Sequence, residues 1–140
     1  MTYNPIMMWI LYSPLHGMLS GFMMVINYTG RKTQKVYRTP IGYKRDGDTL
    51  VTISYKHRKW WRNLRGGAPV ILRLQGKDVR GISEVIEDEA GVVQGMKIFI
   101  VGNPRAARMF GVKVRNDGQA DPESLIQAAQ ERVVVRTKLE

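Results

Sequence analysis

The pattern of hydrophobic and polar positions predicts mostly β-strands after residue 21. Phe22–Tyr28 is a compact apolar run, whereas Thr49–Tyr55 alternates apolar and polar side chains as a half-buried strand does. Turn residues follow at Arg45-Asp46-Gly47-Asp48, where the Asp-Gly pair favours a hairpin, and at Gly76-Lys77-Asp78. Further segments with the composition of strands are Val36–Lys44, Val70–Gln75, Val79–Ile86 and Arg132–Leu139.

Helical signals lie at the start of the chain and between the strands. Asn4-Pro5 indicates a helix start, because Asn is a good N-cap and Pro suits the first helical position. Asp121 is likewise the predicted N-cap of a late helix. Other predicted helices cover Arg58–Arg65, Glu87–Val101 and Asn103–Met109. Together these elements predict a mainly β (α+β) fold over residues 1–140, a small antiparallel barrel of about six strands with inserted helices.

The first twenty residues are apolar and are predicted to form a helical lid (residues 1–20) over an apolar pocket. Six of the eight methionines lie within residues 1–24, and Ile6–Tyr12 is the longest apolar run. Pro14, His16 and Gly17 interrupt it, so the segment is too short and broken to span a bilayer. The alternative is a shallow membrane anchor, although such helices usually carry a basic face. A secretory signal is not predicted, because no basic residue precedes the apolar run.

Positive charge is confined to the middle of the chain. Residues 1–30 contain no charged side chain, residues 31–80 hold 14 Lys or Arg against 3 acids, and residues 81–140 hold 8 against 9. The middle segment therefore predicts an anion-binding site, with a solvated basic face as the alternative reading. The chain has no cysteine, which excludes disulfides and thiolate chemistry and is typical of a cytoplasmic protein.

The predicted helix Arg58–Arg65 combines cations with indoles. If it is α-helical, Arg58, Arg62 and Arg65 share one face at i, i+4 and i+7, and like charges at that spacing destabilise a helix. No acidic residue lies within the helix, so a bound anion over this face would offset the repulsion. The alternative places Trp60 and Trp61 in the core and the arginines in water.

Other chemistries find little support in the sequence. The two histidines, His16 and His57, are better explained as structural or solvated residues, and no paired carboxylates, metal-ligand cluster or nucleophile triad can be assembled. No metal site is predicted. If the protein is an enzyme, a bound cofactor supplies the reactive atom.

An ordered set of motifs resembles the deazaflavin-dependent nitroreductase family of the split β-barrel superfamily, which also contains flavin reductases and pyridoxamine-phosphate oxidases. The motifs are Thr29-Gly30-Arg31-Lys32-Thr33, Thr39-Pro40, Arg45–Asp48, Ser54, Trp60–Leu64 and Pro69-Val70. The resemblance implies a split barrel, usually dimeric. It also implies a deazaflavin cofactor that delivers hydride to nitro compounds, quinones or unsaturated bonds.

The resemblance also implies roles for particular residues. Lys32 would bind the cofactor phosphate, the backbone of Thr52–Ser54 would line the ring system, and Trp61 and Asn63 would lie near the phosphate tail. Tyr37 or Tyr55 is the candidate catalytic group that steers or protonates the substrate. The other candidate cofactor-binding residues are Arg31, Thr33, Arg38, Thr39, Trp60 and Arg62.

Three departures from the family pattern fall where the anionic tail of the cofactor would lie. Gln34 stands where glycine is common, and Tyr37 stands where many members have an arginine. Arg38, one step later in a strand, faces the other way. The segment Tyr55–Lys59 is also shorter than usual. These changes resemble a divergent branch of the family for which apolar, fatty-acid-like ligands have been proposed.

Three functional hypotheses follow. The first is a cytoplasmic, dimeric reductase that uses a deazaflavin, or alternatively flavin mononucleotide, to reduce a small apolar acceptor. The second is a binder without a redox cofactor that holds a fatty acid or similar amphiphile in the same pocket, with peripheral membrane contact. The third, a nucleic-acid binder with exposed aromatics, is the weakest, because pocket lining explains the same aromatics.

Overall fold

The computed structural model describes residues 5–12 and 22–140. Asn4, Pro14, His16 and Gly17, on which the predicted helix start and its interruption rest, lie outside the described residues. The helices are α1 (Pro5–Tyr12), a 3-10 helix (Trp60–Leu64), α2 (Glu89–Ile100), α3 (Pro104–Met109) and α4 (Pro122–Ala129). The strands are β1 (Met23–Thr29), β2 (Val36–Gly42), β3 (Lys44–Asp46), β4 (Thr49–Tyr55), β5 (Ala68–Leu74), β6 (Lys77–Ile86) and β7 (Arg132–Leu139).

The strand prediction is confirmed for most segments, and β4 and β7 have the predicted ends. The predicted strand Val36–Lys44 is wrong in one respect, because it divides at Tyr43 into β2 and β3. The division follows from strand pairing: β2 pairs with β1, whereas β3 pairs with β4. The Tyr43 N–H donates to the Phe22 carbonyl where the chain changes partners. The described sheet therefore has seven strands instead of six.

The two predicted hairpin turns have different outcomes. Gly47 has φ 64° between β3 and β4, as the Asp-Gly pair predicts. The turn predicted at Gly76-Lys77-Asp78 is wrong, because Gln75 and Gly76 form it with φ values of 49° and 80°. A two-residue turn with positive φ at both positions matches the right-handed twist of the flanking strands, so β6 begins already at Lys77.

All strand pairs are antiparallel, in the order β2-β1-β5-β6-β7-β4-β3. The sheet curls so that the Thr52 hydroxyl of β4 donates to the Gly42 carbonyl at the end of β2, 3.0 Å away. The result is the mainly β, α+β split barrel that the sequence predicts. The interior-facing side chains form one buried cluster, which includes Met24, Ile26, Leu50, Trp60, Trp61, Leu64 and Leu72.

Helices cover two parts of the outer sheet face. The α2 and α4 helices pack over β4 and β7, with Val51, Val92, Met96 and Val134 fully buried between the layers. Gly95 is required here, because a Cβ atom would lie 2.6 Å from the Val134 side chain. The three late helices begin at the N-caps Asp88, Asn103 and Asp121, of which Asp121 is the predicted N-cap.

The α1 helix packs over β1 and β2 on the other part of the outer face. Its Leu11 is buried, and the Tyr12 ring lies 5.5 Å from the Arg38 guanidinium and 5.2 Å from that of Arg73. Trp9 is exposed. The described part of the proposed lid thus contacts the outer face of the sheet. Among the described helices, none has both the length and the apolar character needed to cross a bilayer.

One buried polar contact ties β6 to β7 inside the barrel. The hydroxyls of Ser83 and Thr137 are 2.6 Å apart, and both side chains are fully buried. We expect Ser83→Ala or Thr137→Val alone to lower the free energy of unfolding by about 1–3 kcal/mol, because each leaves a buried hydroxyl unsatisfied. The double variant should lose less than the sum of the two. Urea unfolding measures all three, and strictly additive losses would contradict the coupling.

Candidate functional site

A cavity of about 480 Å³ opens between the β1–β2 turn and the 3-10 helix. The turn connects the two strands at one edge of the sheet, whereas the 3-10 helix follows β4, which lies near the opposite edge. We call this space the cationic cavity. Its lining residues are Tyr28, Gly30, Arg31, Lys32, Thr33, Tyr37, Lys59, Trp60, Arg62, Asn63 and Arg65.

The β1–β2 turn is closed by its own backbone. The Gly30 N–H donates to the Lys35 carbonyl and the Gln34 N–H to the Gly30 carbonyl, both at 2.8 Å. Gln34 has φ 58°, and its side-chain amide donates to the Arg31 carbonyl. Gly30 is required for a different reason: a Cβ atom there would lie 2.6 Å from the Tyr37 ring. The turn therefore presents Arg31 and Lys32 from a fixed backbone.

Asn63 and Arg31 join the turn to the 3-10 helix. The Asn63 Oδ1 accepts the Arg31 backbone N–H at 2.9 Å, and the Asn63 Nδ2 donates to the Trp60 carbonyl at 3.0 Å. The Arg31 guanidinium donates to the Arg65 carbonyl. The Asn63 Oδ1 thus joins the two walls, while its Nδ2 stays bonded within the 3-10 helix. The family resemblance implied that Asn63 lies near the phosphate tail of a cofactor. Its hydrogen bond to the Arg31 backbone was not predicted.

The α-helix predicted over Arg58–Arg65 is wrong, because the segment forms a 3-10 helix of five residues. At three residues per turn, positions i, i+4 and i+7 do not form one row. Arg65 already lies outside the helix with ψ 134°. The alternative interpretation, which places Trp60 and Trp61 in the core, is confirmed for both side chains, because each is only 2% exposed. These indoles are therefore unavailable to stack on nucleic-acid bases.

No acidic residue lies within the segment, as the sequence shows, but an acid from another element pairs with one of its arginines. Glu87, at the end of β6, accepts two hydrogen bonds from the Arg65 guanidinium, at 2.9 Å and 3.1 Å. These bonds hold the pKa of the Glu87 carboxyl below its usual value and raise the pKa of Arg65. Because the contact joins residues 22 positions apart, no pattern within the helix could reveal it.

The remaining cations face the cavity without a counter-charge. No carboxylate lines the cationic cavity, and Lys32, Lys59 and Arg62 form no salt bridge within residues 5–12 and 22–140. All three are exposed, so water and salt screen them until a ligand enters. An anion bound there would gain charge-assisted hydrogen bonds from several side chains at once.

Aromatic rings form the inner wall of the cationic cavity. The Tyr28 and Tyr37 rings stack at 5.8 Å between centroids, and Tyr28 contacts Trp60 at 6.2 Å. Burial raises the pKa of the Tyr28 phenol. The Tyr37 hydroxyl is 2.9 Å from the Thr33 hydroxyl, which fixes its position at the mouth. Tyr37 is only partly buried and therefore presents apolar surface next to the cations, which suits a planar, anionic molecule.

The structure brings seven of the predicted site residues into the cavity lining and leaves six outside it. Those in the lining are Arg31, Lys32, Thr33, Tyr37, Trp60, Arg62 and Asn63. Two of the others, Ser54 and Trp61, contact residues of the lining. Ser54 accepts the Trp60 indole N–H at 3.2 Å. Trp61 lies under Arg65 and Arg62 at 4.9 Å and 5.7 Å, and Thr52 is buried in the barrel seam.

Thr39, Arg38 and Tyr55 are also outside the cavity. Thr39 is buried inside the barrel, whereas Arg38 projects to the outer face beside Tyr12. Tyr55 projects to the outer face of β4 because side chains alternate along a strand, and its hydroxyl accepts from Arg132 at 3.1 Å. Of the two candidate catalytic tyrosines, only Tyr37 reaches the cavity.

The site residues predicted from the sequence omit four lining residues, Tyr28, Gly30, Lys59 and Arg65, although Arg65 had a place on the predicted anion-binding face. Tyr28 carried a usable signal, because it continues the interior set of Met24 and Ile26 up to the turn. Lys59 belongs to the same cationic segment and directly precedes Trp60, but only the arginines of that segment were assigned to the anion-binding face. The Gly30 requirement arises from Tyr37, which only the folded hairpin brings close.

Solved structures of other proteins share the fold. The structures of an "F420 Reductase" (12% identity, TM-score 0.51, covering 94% of this chain and 91% of that one) and of an "F420-H2 Dependent Reductase (FDR-A)" (15% identity, TM-score 0.53, 84% and 93%) are similar in fold. A protein described as a "domain-swapped dimer" is similar at 14% identity and TM-score 0.53, covering 84% and 79%.

Sequence comparison identifies the family, which structural similarity at such low identity does not. No curated protein sequence matches the chain. The sequence model of the family described as "F420H(2)-dependent quinone reductase" matches residues 14–93, which is more than half of the 140 residues and includes every residue that lines the cationic cavity. The resemblance to the deazaflavin-dependent enzymes is thereby confirmed, and the chain belongs to the F420H(2)-dependent quinone reductase family of oxidoreductases.

Proposed function

We propose that the cationic cavity binds the anionic tail of a reduced deazaflavin, and that the protein delivers hydride to a small apolar acceptor such as a quinone, a nitro compound or an unsaturated bond. The observation that carries the proposal is the convergence of five cations on one cavity whose lining contains no carboxylate. The alternatives from the sequence, flavin mononucleotide or no redox group, have no comparable support.

The residues present fit such a group. Lys32 and Arg62 lie on opposite walls, and Lys59 adds a third cation, so an anionic tail would be held from both sides. When bound, the reduced deazaflavin supplies the hydride. The protein contributes orientation and the exclusion of water, both favoured by the rigid wall of Tyr28, Tyr37 and Trp60.

Tyr37 is the catalytic residue we propose for proton handling. Its hydroxyl is held by Thr33 at the mouth of the cavity and is the phenol best placed to donate a hydrogen bond to an acceptor oxygen. Tyr55 has no part in the proposal, because its hydroxyl already accepts from Arg132 on the far face of the sheet.

We also propose that the protein is a homodimer. The outer face of the sheet exposes Val36, Ile71 and Ile82, and Val36, Pro69 and Ile71 border one shallow pocket. Contiguous apolar surface of this kind is typical of subunit interfaces, and the similar structure described as a domain-swapped dimer supports the proposal.

The dimer can be tested by placing a charge on this apolar surface. Ile82→Lys should shift the sedimentation coefficient from that of a dimer to that of a monomer, while thermal unfolding stays cooperative. A wild-type chain that sediments as a monomer at micromolar concentration would end this proposal.

Cofactor binding can be tested with a lysine pair from the same turn. Lys32→Ala should weaken deazaflavin affinity by about 10-fold or more, because it removes a charge-assisted hydrogen bond. Lys35→Ala is the matched control, since Lys35 is exposed on the turn but does not line the cavity. Quenching of tryptophan fluorescence on titration measures both. Equal affinities for the two variants would remove Lys32 from the site.

The Arg65–Glu87 pair gives the folded state a predictable pH dependence. Since the pKa of Glu87 is lowered on folding, its stabilising contribution is present above the unfolded pKa and is lost as the pH falls through the folded pKa. We expect Glu87→Gln to have a lower urea midpoint than wild type at neutral pH. The difference should shrink below about pH 4.5, the ordinary pKa of the group.

The arginine partner provides the control for this pH effect. In an Arg65→Gln background, Glu87→Gln should change the urea midpoint much less than in wild type, because only the weaker attraction of Lys56 and Arg62 remains. Both side chains are partly exposed, so the effect is small and salt reduces it. A midpoint difference that persists undiminished in acid would assign the effect to something other than the carboxylate charge.

A further inference from the structure

A second cavity of about 480 Å³ lies in the helical layer, and no described residue lines both cavities. It opens between α2, α4 and the loop of residues 113–121. We call it the apolar pocket. Its walls are Val93 and Ile100 of α2, Val114 and Ala120 of the loop, and Leu125 and Ile126 of α4.

The loop wall of the apolar pocket is held in place by its own hydrogen bonds. Val114 and Ala120 form an isolated antiparallel bridge. The Asp121 N–H donates to the Lys113 carbonyl at 2.7 Å, and the Arg115 N–H donates to the Gln119 carbonyl at 2.8 Å. A pocket with backbone-fixed walls requires little ordering on binding, which lowers the cost of taking up a ligand.

Apolar side chains are left in water around this pocket. Val101 is 65% exposed, Val114 51% and Ile126 40%, and all three line it. Single exposed apolar residues are common on surfaces, but a group around a concave pocket is typical of a binding site. The ligand that fits such walls has a flexible apolar portion.

Two cations at the rim of the pocket favour a ligand whose polar end is anionic. Lys97 and Arg115 line the pocket with the apolar residues. Arg115 is already paired with Asp117 at 3.2 Å, whereas Lys97 forms no salt bridge within the part of the chain that the structure describes. An anionic head group would therefore meet Lys97 first.

We propose that the apolar pocket binds an amphipathic anion, an aliphatic chain that ends in a carboxylate, at a site separate from the cationic cavity. The aliphatic chain lies against Ile100, Leu125 and Ile126, and the carboxylate accepts from the Lys97 ammonium. The cationic cavity differs in both respects, because its wall is aromatic and its charges surround the space. The two sites thus select different ligands on opposite sides of β4 and β7.

Calorimetric titration with decanoate tests the proposal on the full chain. Decanoate should bind, and the uncharged decanol should bind at least about tenfold more weakly, because it lacks the charge-assisted contact. Lys97→Glu should weaken decanoate by about tenfold or more, since attraction becomes repulsion. Lys113→Glu is the matched control, because it makes the same charge change on the loop without lining the pocket.

Two further variants separate this site from the proposed cofactor site. Ile126→Gln, a change at a partly exposed helix position, should weaken decanoate without unfolding the protein. Lys32→Ala should leave decanoate affinity unchanged, and Lys97→Glu should leave deazaflavin affinity unchanged. Decanoate binding that is lost in Lys32→Ala and retained in Lys97→Glu would place the amphiphile in the cationic cavity. That result, or an absence of decanoate binding, would overturn the proposal. Neither outcome would decide whether deazaflavin binds in the cationic cavity, which its own titration measures.

Discussion

The docking of the β1–β2 turn onto the 3-10 helix is the constraint on which the site depends. Two positively charged segments that would repel one another in isolation meet at neutral acceptors. The Asn63 amide oxygen accepts the Arg31 N–H, and the Arg65 carbonyl accepts the Arg31 guanidinium. Because Arg31 is the one cation that these bonds use, the charges of Lys32, Lys59 and Arg62 remain available to the cavity between the walls.

The barrel core provides the rigidity that this docking requires. Trp60 and Trp61 are buried against the interior, and their indole N–H groups donate to Ser54 and to the Tyr55 carbonyl, both 3.2 Å away. A short 3-10 helix has weak internal hydrogen bonding, so these two anchors fix it to the end of β4. The indoles therefore have a structural role first, and of the two only Trp60 lines the cavity.

The two faces of the sheet have separate uses. Interior side chains of β1 and β2 lead up to the cationic cavity, whereas the outer faces of β4 and β7 carry the helices that enclose the apolar pocket. Alternation along each strand keeps the two apart, since neighbouring residues such as Ser54 and Tyr55 project to opposite sides. One domain of this size can therefore present two chemically distinct cavities without sharing a lining residue.

The sequence by itself determined the strand-rich fold, the ends of β4 and β7, the N-cap at Asp121, and the concentration of charge around Lys32 and Arg62. These features follow from periodicity, capping and composition, which act between near neighbours. Only the tertiary structure decided that the Arg58–Arg65 segment is a 3-10 helix, that Glu87 neutralises Arg65, and that Tyr55 faces away from the cavity. Each of these depends on contacts such as that between Arg31 and Asn63, 32 positions apart, which exist only after strand pairing has brought the two segments together.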